Sequence, residues 1–196
     1  MTPALPSRIE AVVIGTSAGG IDPLSVVLPA LPAGFGRPVF VVIHLPRERP
    51  SLLASIFRSK CAVAVREAQD KDPVEAGTIY FAPPDYHLLI DEGPSLALSD
   101  DELVNFSRPS IDVLFESAAD YYGDRLLGIV MTGASHDGAA GLDAVRRAGG
   151  TTVVQAPDEA QSAVMVRAAL ERGPADHVLT LAQIADMLKR LGGEAR

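Results

Sequence analysis

Two short runs of apolar, mostly β-branched residues, Ala11-Val-Val-Ile14 and Val39-Phe-Val-Val-Ile43, narrow the folds open to this chain. Neither run places polar residues at alternate positions, so each must be a strand buried on both faces. That pattern belongs to a central parallel strand with helices above and below it. The first run leads into Gly15-Thr-Ser-Ala-Gly-Gly20, and helix-start signals follow at once: Asp22 as an N-cap and Pro23 at the first helical position.

The same alternation continues along the chain. A short helix over residues 22–31 is stopped by Pro32-Ala-Gly34, and a helix over about 50–59 follows His44-Leu-Pro46. Residues 63–67 make a third strand candidate. Thr78–Phe81 and residues 87–90 and 96–98 are separated by Pro83-Pro-Asp85 and Glu92-Gly-Pro94, which predicts an antiparallel hairpin or meander at the sheet margin. Ser110 opens an amphipathic helix over 111–119. Strands over 126–131, 151–155 and 177–179 then alternate with helices over 139–148 and 160–171, and an amphipathic helix closes the chain. Gly149-Gly150 is the stop of the first of these helices. No repeat or linker interrupts the 196 residues, so the expectation is one α/β domain over 1–196: a doubly wound, mostly parallel sheet with helices on both faces and a small antiparallel hairpin region.

Composition excludes several function classes. A formal net charge of −8 argues against general nucleic-acid binding, which needs a basic surface. The single cysteine, Cys61, excludes an internal disulfide and a cysteine-based zinc cage, and its place between a helix and a strand reads as a packed thiol. No apolar run approaches a membrane span, and the first ten residues lack the charged start and apolar core of a signal peptide. A cytoplasmic protein is expected.

The stretch Gly15-x-Ser17-x-Gly19 fits a nucleophile elbow, in which a serine sits on a sharp turn between strand and helix. Backbone N–H groups after Ser17 would then be placed to hold an oxyanion. Two other readings compete: a phosphate cradle and a purely structural turn. The dinucleotide pattern wants glycine where Ser17 stands, and a P-loop would end in Gly-Lys-Ser/Thr, whereas Gly20 is followed by Ile21 and Asp22.

A serine hydroxyl needs a base, and imidazole suits that role near neutral pH, with a carboxylate to fix its tautomer. Ser17, His44 and the loop holding Asp137 each follow the carboxyl end of a predicted parallel strand, the edge where open α/β sheets bind ligands. Of the four histidines, His44 is the best base: His87 falls in the hairpin region, His177 opens a late strand, and His136 directly precedes Asp137. Asp137 also reads as a cap for the helix that follows it, and the two roles are compatible. The order Ser…His…Asp differs from that of the α/β-hydrolases.

These residues carry a resemblance. The chain resembles the catalytic domain of the CheB-type chemoreceptor protein-glutamate methylesterases through Ile14-Gly-Thr-Ser-Ala-Gly-Gly20, His44-Leu-Pro46, Tyr80-Phe-Ala-Pro83 with His87, Arg108-Pro-Ser-Ile-Asp-Val-Leu-Phe115 and Met131-Thr-Gly-Ala-Ser-His-Asp-Gly-Ala-Ala-Gly141. The resemblance implies Ser17 as nucleophile, His44 as base, Asp137 as its orienting carboxylate, and the amides of Ala18 and Ala134 as the oxyanion hole. It implies hydrolysis of glutamate γ-methyl esters on chemoreceptor cytoplasmic helices with release of methanol, deamidation of receptor glutamines in some members, and no metal or organic cofactor. A separate response regulator or signalling protein is a further partner it suggests.

Four departures from the family pattern stand out. Familiar members carry an N-terminal receiver domain, for which a first strand at about Ala11 leaves no room in this sequence, either a single-domain member or a fragment of a longer chain. Leu45-Pro-Arg-Glu-Arg-Pro50 replaces the common Pro-x-Phe-Thr after the histidine, Ile43 a common glutamine, and Ala18 a common threonine. Arg47 and Arg49 near the expected mouth suggest docking of receptor carboxylates. Two other functions remain open from sequence: a non-catalytic relative that binds receptor or signalling partners, and a serine hydrolase of a different ester or amide.

Overall fold

The structure, a computed structural model, describes residues 5–45 and 50–193. Strand β1 (Ala11–Thr16) runs into helix α1 (Ile21–Val27), and β2 (Val39–Ile43) is followed by α2 (Leu53–Arg58). Next come β3 (Ala64–Glu67), β4 (Thr78–Phe81), and the pair β5 (His87–Asp91) and β6 (Ser95–Ser99). Helix α3 (Ile111–Tyr122), β7 (Leu126–Val130), α4 (Ala139–Arg147), β8 (Thr151–Gln155), α5 (Val164–Arg172), β9 (His177–Leu179) and α6 (Leu181–Gly193) complete the chain.

Seven strands form one parallel sheet in the order β3-β4-β2-β1-β7-β8-β9. Alternate residues of each central strand feed two separate cores. Val12, Ile14, Val39 and Val41 pack on one face with α1, α2 and α6 residues such as Leu24, Phe57 and Leu188. Ala11, Val13, Phe40 and Val42 pack on the other with α3, α4 and α5 residues such as Phe115, Val145 and Val166. This explains the absence of polar residues in the two runs: each strand sees a core from both sides, and each fully buried Val, Ile or Phe contributes about 1.5–3 kcal/mol. Chain order reverses between β1 and its neighbours β2 and β7, so the crevice for a ligand lies beyond the carboxyl ends of these three strands.

The structure departs from two local expectations. Thr78–Phe81 is no part of a hairpin at the margin; it is a fully buried parallel strand between β3 and β2. Its polar residues disguised it, but the Tyr80 ring stacks on Phe40 at 5.7 Å while its hydroxyl accepts the Glu75 N–H at 2.9 Å. Only β5 and β6 form the antiparallel pair. Helix α1 starts earlier than its signals suggest, with Gly20 at the N-cap and no side-chain cap, so Asp22 lies inside the first turn. Pro23 is tolerated there because the first-turn N–H groups have no intrahelical acceptor.

Candidate active site

Each member of the site hangs from the end of a central strand. Ser17 follows β1, and its N–H donates to the Thr132 carbonyl beyond β7 at 2.9 Å. The Thr16 hydroxyl donates to the same carbonyl at 2.8 Å, so the turns after β1 and β7 are tied together. His44 follows β2, where its N–H donates to the Thr16 carbonyl at 3.3 Å. The two glycines flanking Ser17 act differently. Gly19 takes the left-handed turn at φ +75°, whereas Gly15 provides clearance, since a Cβ there would lie 2.3 Å from Ile111 Cγ2.

The three side chains meet. His44 Nδ1 is 3.1 Å from Ser17 Oγ, and His44 Nε2 is 2.7 Å from Asp137 Oδ2. A carboxylate at Nε2 keeps the proton on that nitrogen and leaves the Nδ1 lone pair facing the serine, the state a general base requires. Ser17 is partly exposed, and Asp137 is 0% exposed. The N–H groups of Ala18 and Ala134, both on exposed residues, donate to no acceptor among the described residues. Arg47 and Arg49 lie outside the described residues.

Asp137 does cap a helix, but not the one that follows it. Its Oδ2 accepts the Ile111 N–H at 2.6 Å, and its Oδ1 accepts the Ser110 hydroxyl at 2.7 Å, the Asn105 amide at 3.0 Å and the Asp112 N–H at 3.2 Å. The carboxylate therefore closes the N-terminus of α3. The N-terminus of α4 is closed in return by Asp112, whose Oδ1 accepts the Gly138 and Gly141 N–H groups at 2.9 and 2.6 Å. Gly141 makes this approach feasible, because a Cβ there would stand 2.6 Å from Phe115 Cβ and 2.9 Å from Asp112 Cα. The two helices thus exchange caps, and the exchange orients the carboxylate that faces His44.

Burial pushes Asp137 toward its neutral form, but the hydrogen bonds from His44, Ile111, Ser110 and Asn105 outweigh it and hold its carboxyl below the usual range. Asp112 goes the other way: burial dominates and, with the Asp137 charge nearby, raises its carboxyl despite the amides that face it. The Asn105 amide separates the two acids, donating to Asp137 and, at 2.8 Å, to Asp112 Oδ2. Residues Asn105 and Asp112 escaped the sequence reading, and Ser110 was legible there only as a helix start. Asp112 looks like an ordinary first-turn acid, and the partner it holds is 26 residues away at Gly138. His87 is structural: its Nδ1 accepts the Ser110 N–H at 3.1 Å and its Nε2 donates to the Glu102 carbonyl at 3.0 Å. Among the described residues no three His, Cys, Asp or Glu side chains converge as a metal site, and no helix is long and apolar enough to cross a membrane.

The family model described as CheB methylesterase matches residues 12–188. The chain belongs to that family. A Leptospira interrogans relative, provisionally named a protein-glutamate methylesterase/protein-glutamine glutaminase, is 45% identical over 182 residues, covering 93% of this chain and 94% of the relative. The Anaeromyxobacter dehalogenans protein-glutamate methylesterase/protein-glutamine glutaminase 2 is 44% identical over 191 residues, and there the match covers 96% of this chain but 55% of the relative. The crystal structure of the Thermotoga maritima CheB methylesterase catalytic domain is similar with a TM-score of 0.89 at 32% identity, over 93% of this chain and 98% of that one. The doubly wound sheet with its small antiparallel pair is thus the fold of the CheB catalytic domain. As a member of this family the chain is a hydrolase.

Proposed function

We propose that this protein hydrolyses glutamate γ-methyl esters on the cytoplasmic helices of chemoreceptors, with Ser17 as nucleophile, His44 as general base and Asp137 as orienting carboxylate. The observation that carries this reading is the continuous chain Ser17–His44–Asp137, at 3.1 and 2.7 Å, together with Ala18 and Ala134 N–H groups that have no acceptor among the described residues. His44 Nδ1 takes the Ser17 proton as Oγ bonds to the ester carbonyl carbon. The carbonyl oxygen becomes an oxyanion, held by the Ala18 and Ala134 N–H groups, each worth about 3–4 kcal/mol to the transition state. The C–OCH3 bond then breaks, and Nδ1–H gives its proton to the departing methoxide, releasing methanol. Water attacks the acyl-serine with His44 again as base, and the Ser17 hydroxyl and a glutamate side chain result. Asp137 stays ionised throughout and stabilises the imidazolium. Glutamine follows the same path with a poorer leaving group, so deamidation is slower than demethylation. A separate response regulator or signalling protein would be the partner that controls the site. Arg47 and Arg49 dock free carboxylates of the receptor helix, a reading that fails if Arg47→Ala/Arg49→Ala leaves turnover and its salt dependence unchanged.

The decisive experiment measures methanol release from methylated receptor cytoplasmic fragments by the wild type, Ser17→Ala and His44→Ala. Release by the wild type, abolished in both folded variants, supports the reading. No release from receptors of the same cell refutes it. Labelling of Ser17 by an organophosphonate then indicates a hydrolase of another ester, and no labelling indicates a binding protein.

A further inference from the structure

Thr132, two residues beyond β7, is fully buried, and each of its polar groups is engaged with a turn of the site. Its carbonyl accepts the Ser17 N–H at 2.9 Å and the Thr16 hydroxyl at 2.8 Å. Its hydroxyl accepts the Ser162 N–H at 2.9 Å and shares its own proton between the Ala18 carbonyl at 3.1 Å and the Ser162 carbonyl at 3.2 Å. Its N–H donates to Gln155 Oε1 at 2.8 Å. One residue thus joins the turns that follow β1, β7 and β8.

This junction sets the direction of the two candidate oxyanion donors. In a planar trans peptide the N–H and C=O point opposite ways, so anchoring the carbonyl aims the N–H. The peptide that carries the Ala18 N–H has its carbonyl, that of Ser17, bound by the Gly20 N–H at 2.9 Å. The peptides on either side of it are both held by Thr132, one through the Ser17 N–H and the other through the Ala18 carbonyl. The peptide that carries the Ala134 N–H has its carbonyl, that of Gly133, bound by the Met165 N–H at 3.0 Å. The peptide before it is Thr132's own, and its Gly133 N–H donates to the Ser162 carbonyl at 3.1 Å. Turning either donor therefore disturbs hydrogen bonds made by Thr132 or Ser162.

Gln155 shows that the arrangement carries a cost. Its side chain is 1% exposed, and while Oε1 serves Thr132, Nε2 has no hydrogen-bond partner among the described residues. Turning the amide over would set its NH2 against the Thr132 N–H, so the unmatched donor is fixed in place. A buried donor without an acceptor destabilises a fold, and packing alone does not explain it. The acceptor that Gln155 brings to the Thr132 N–H does.

We propose that Thr132 is a positioning residue for the reaction: held by Gln155, it fixes the Ala18 and Ala134 peptides so that both N–H groups stay aimed at the oxyanion formed when Ser17 attacks. The inference rests on the proposed function, whose oxyanion these groups serve. Donors fixed in advance need no reorientation as charge develops, which is the source of their catalytic effect.

Methanol release from methylated receptor fragments, hydrolysis of p-nitrophenyl acetate and thermal melts test the proposal. Thr132→Val removes the hydroxyl at nearly constant volume. Its kcat should fall about 10–10²-fold with KM within about twofold of wild type, short of the loss of a whole oxyanion donor. Thr132→Ser, which keeps the hydroxyl, should restore kcat to within about threefold. Gln155→Met exchanges one unmatched buried donor, Nε2, for another, the Thr132 N–H. Its Tm should therefore stay within about 3 °C of wild type while kcat falls about tenfold. Thr152→Val is the control for stability alone. That threonine is 1% exposed near the amino end of β8, and its hydroxyl exchanges hydrogen bonds with Asp176 at 2.9 and 3.0 Å. This variant should lower Tm and keep kcat within about twofold. Loss of kcat confined to Thr132→Val and Gln155→Met supports the inference. Wild-type kcat in either folded variant, or an equal loss in Thr152→Val, overturns it and leaves the proposed function standing. If Thr132→Val does not fold, Gln155→Met decides by the same criterion. A wild type that cleaves p-nitrophenyl acetate but releases no methanol refutes the receptor substrate, and the variants then decide this inference on the acetate alone. A wild type that cleaves neither ester overturns both.

Discussion

Replacing Asp137 by asparagine separates the two tasks of its carboxylate. The amide has one oxygen where the carboxylate has two, and both sites are occupied by donors. With its oxygen at the Oδ1 position, the substituted side chain keeps Ser110, Asn105 and Asp112 but turns its NH2 against the Ile111 N–H and His44. With the oxygen at Oδ2 it keeps Ile111 and His44 and confronts the Asp112 N–H and Asn105 instead. Either way a buried donor in the first turn of α3 loses its acceptor, at a cost of about 1–3 kcal/mol. Loss of a negative charge at that helix start adds about 0.3–2 kcal/mol. Together Asp137→Asn should lose about 1–5 kcal/mol, a Tm fall of roughly 3–20 °C for a chain of this size. Turnover should fall about 10⁴-fold, as expected when an imidazole loses the carboxylate that sets its tautomer.

Ser17→Ala is the comparison. Its hydroxyl contacts His44 Nδ1, so the variant should lose turnover while its stability stays within about 0.5 kcal/mol of wild type. The pH dependence has a definite sign. The carboxyl of Asp137 is held below its ordinary value, so its contribution is fully present above the unfolded pKa near ~3.9 and is lost as pH falls through the folded value. The stability gap between wild type and Asp137→Asn should therefore close in strong acid. Thermal melts of the three proteins against pH, with methanol release beside them, provide the assay. If Asp137→Asn and Ser17→Ala melt within about 2 °C of each other at neutral pH, the carboxylate does not tie the site to α3.

Asn105→Asp keeps the length and the tolerance for a left-handed backbone but sets a carboxylate against Asp112 and Asp137, where two N–H donors stood. The Asp137 carboxyl should rise and hold the His44 imidazole less firmly, so kcat/KM should fall; an unchanged kcat/KM would remove Asn105 from the site. Gly133→Ala places a Cβ 2.5 Å from Met165 Cε and 3.0 Å from Ser17 Cβ. The methionine end can swing aside but the serine turn cannot, so kcat/KM should fall about 10²-fold, and full activity would refute the packing described. Burial pushes the Cys61 thiol up, only partly opposed by Lys60, so alkylation at pH 8 should run slower than for free cysteine in a stopped-time assay.

The fold was legible because burial leaves a mark on composition. A strand covered on both faces needs apolar residues throughout, and Ala11–Thr16 and Val39–Ile43 show it without reference to any partner. Strand β4 was misplaced because threonine and tyrosine read as surface residues, and only the three-dimensional path lets the Tyr80 hydroxyl reach the Glu75 N–H. The serine and histidine were legible because they sit at strand ends, where a local turn already aims them at the ligand edge. What surrounds Asp137 was not. Its hydrogen bonds join segments 25 to 93 residues apart, and a hydrogen bond between distant segments leaves no periodicity for a sequence to display. The chain by itself pointed to a parallel sheet and to the three groups at its edge, Ser17, His44 and Asp137, since each follows a strand whose burial and closing turn are written locally. Tertiary structure alone decided that Asp137 caps α3 while Asp112 caps α4, because that exchange exists only once the two helices are packed together.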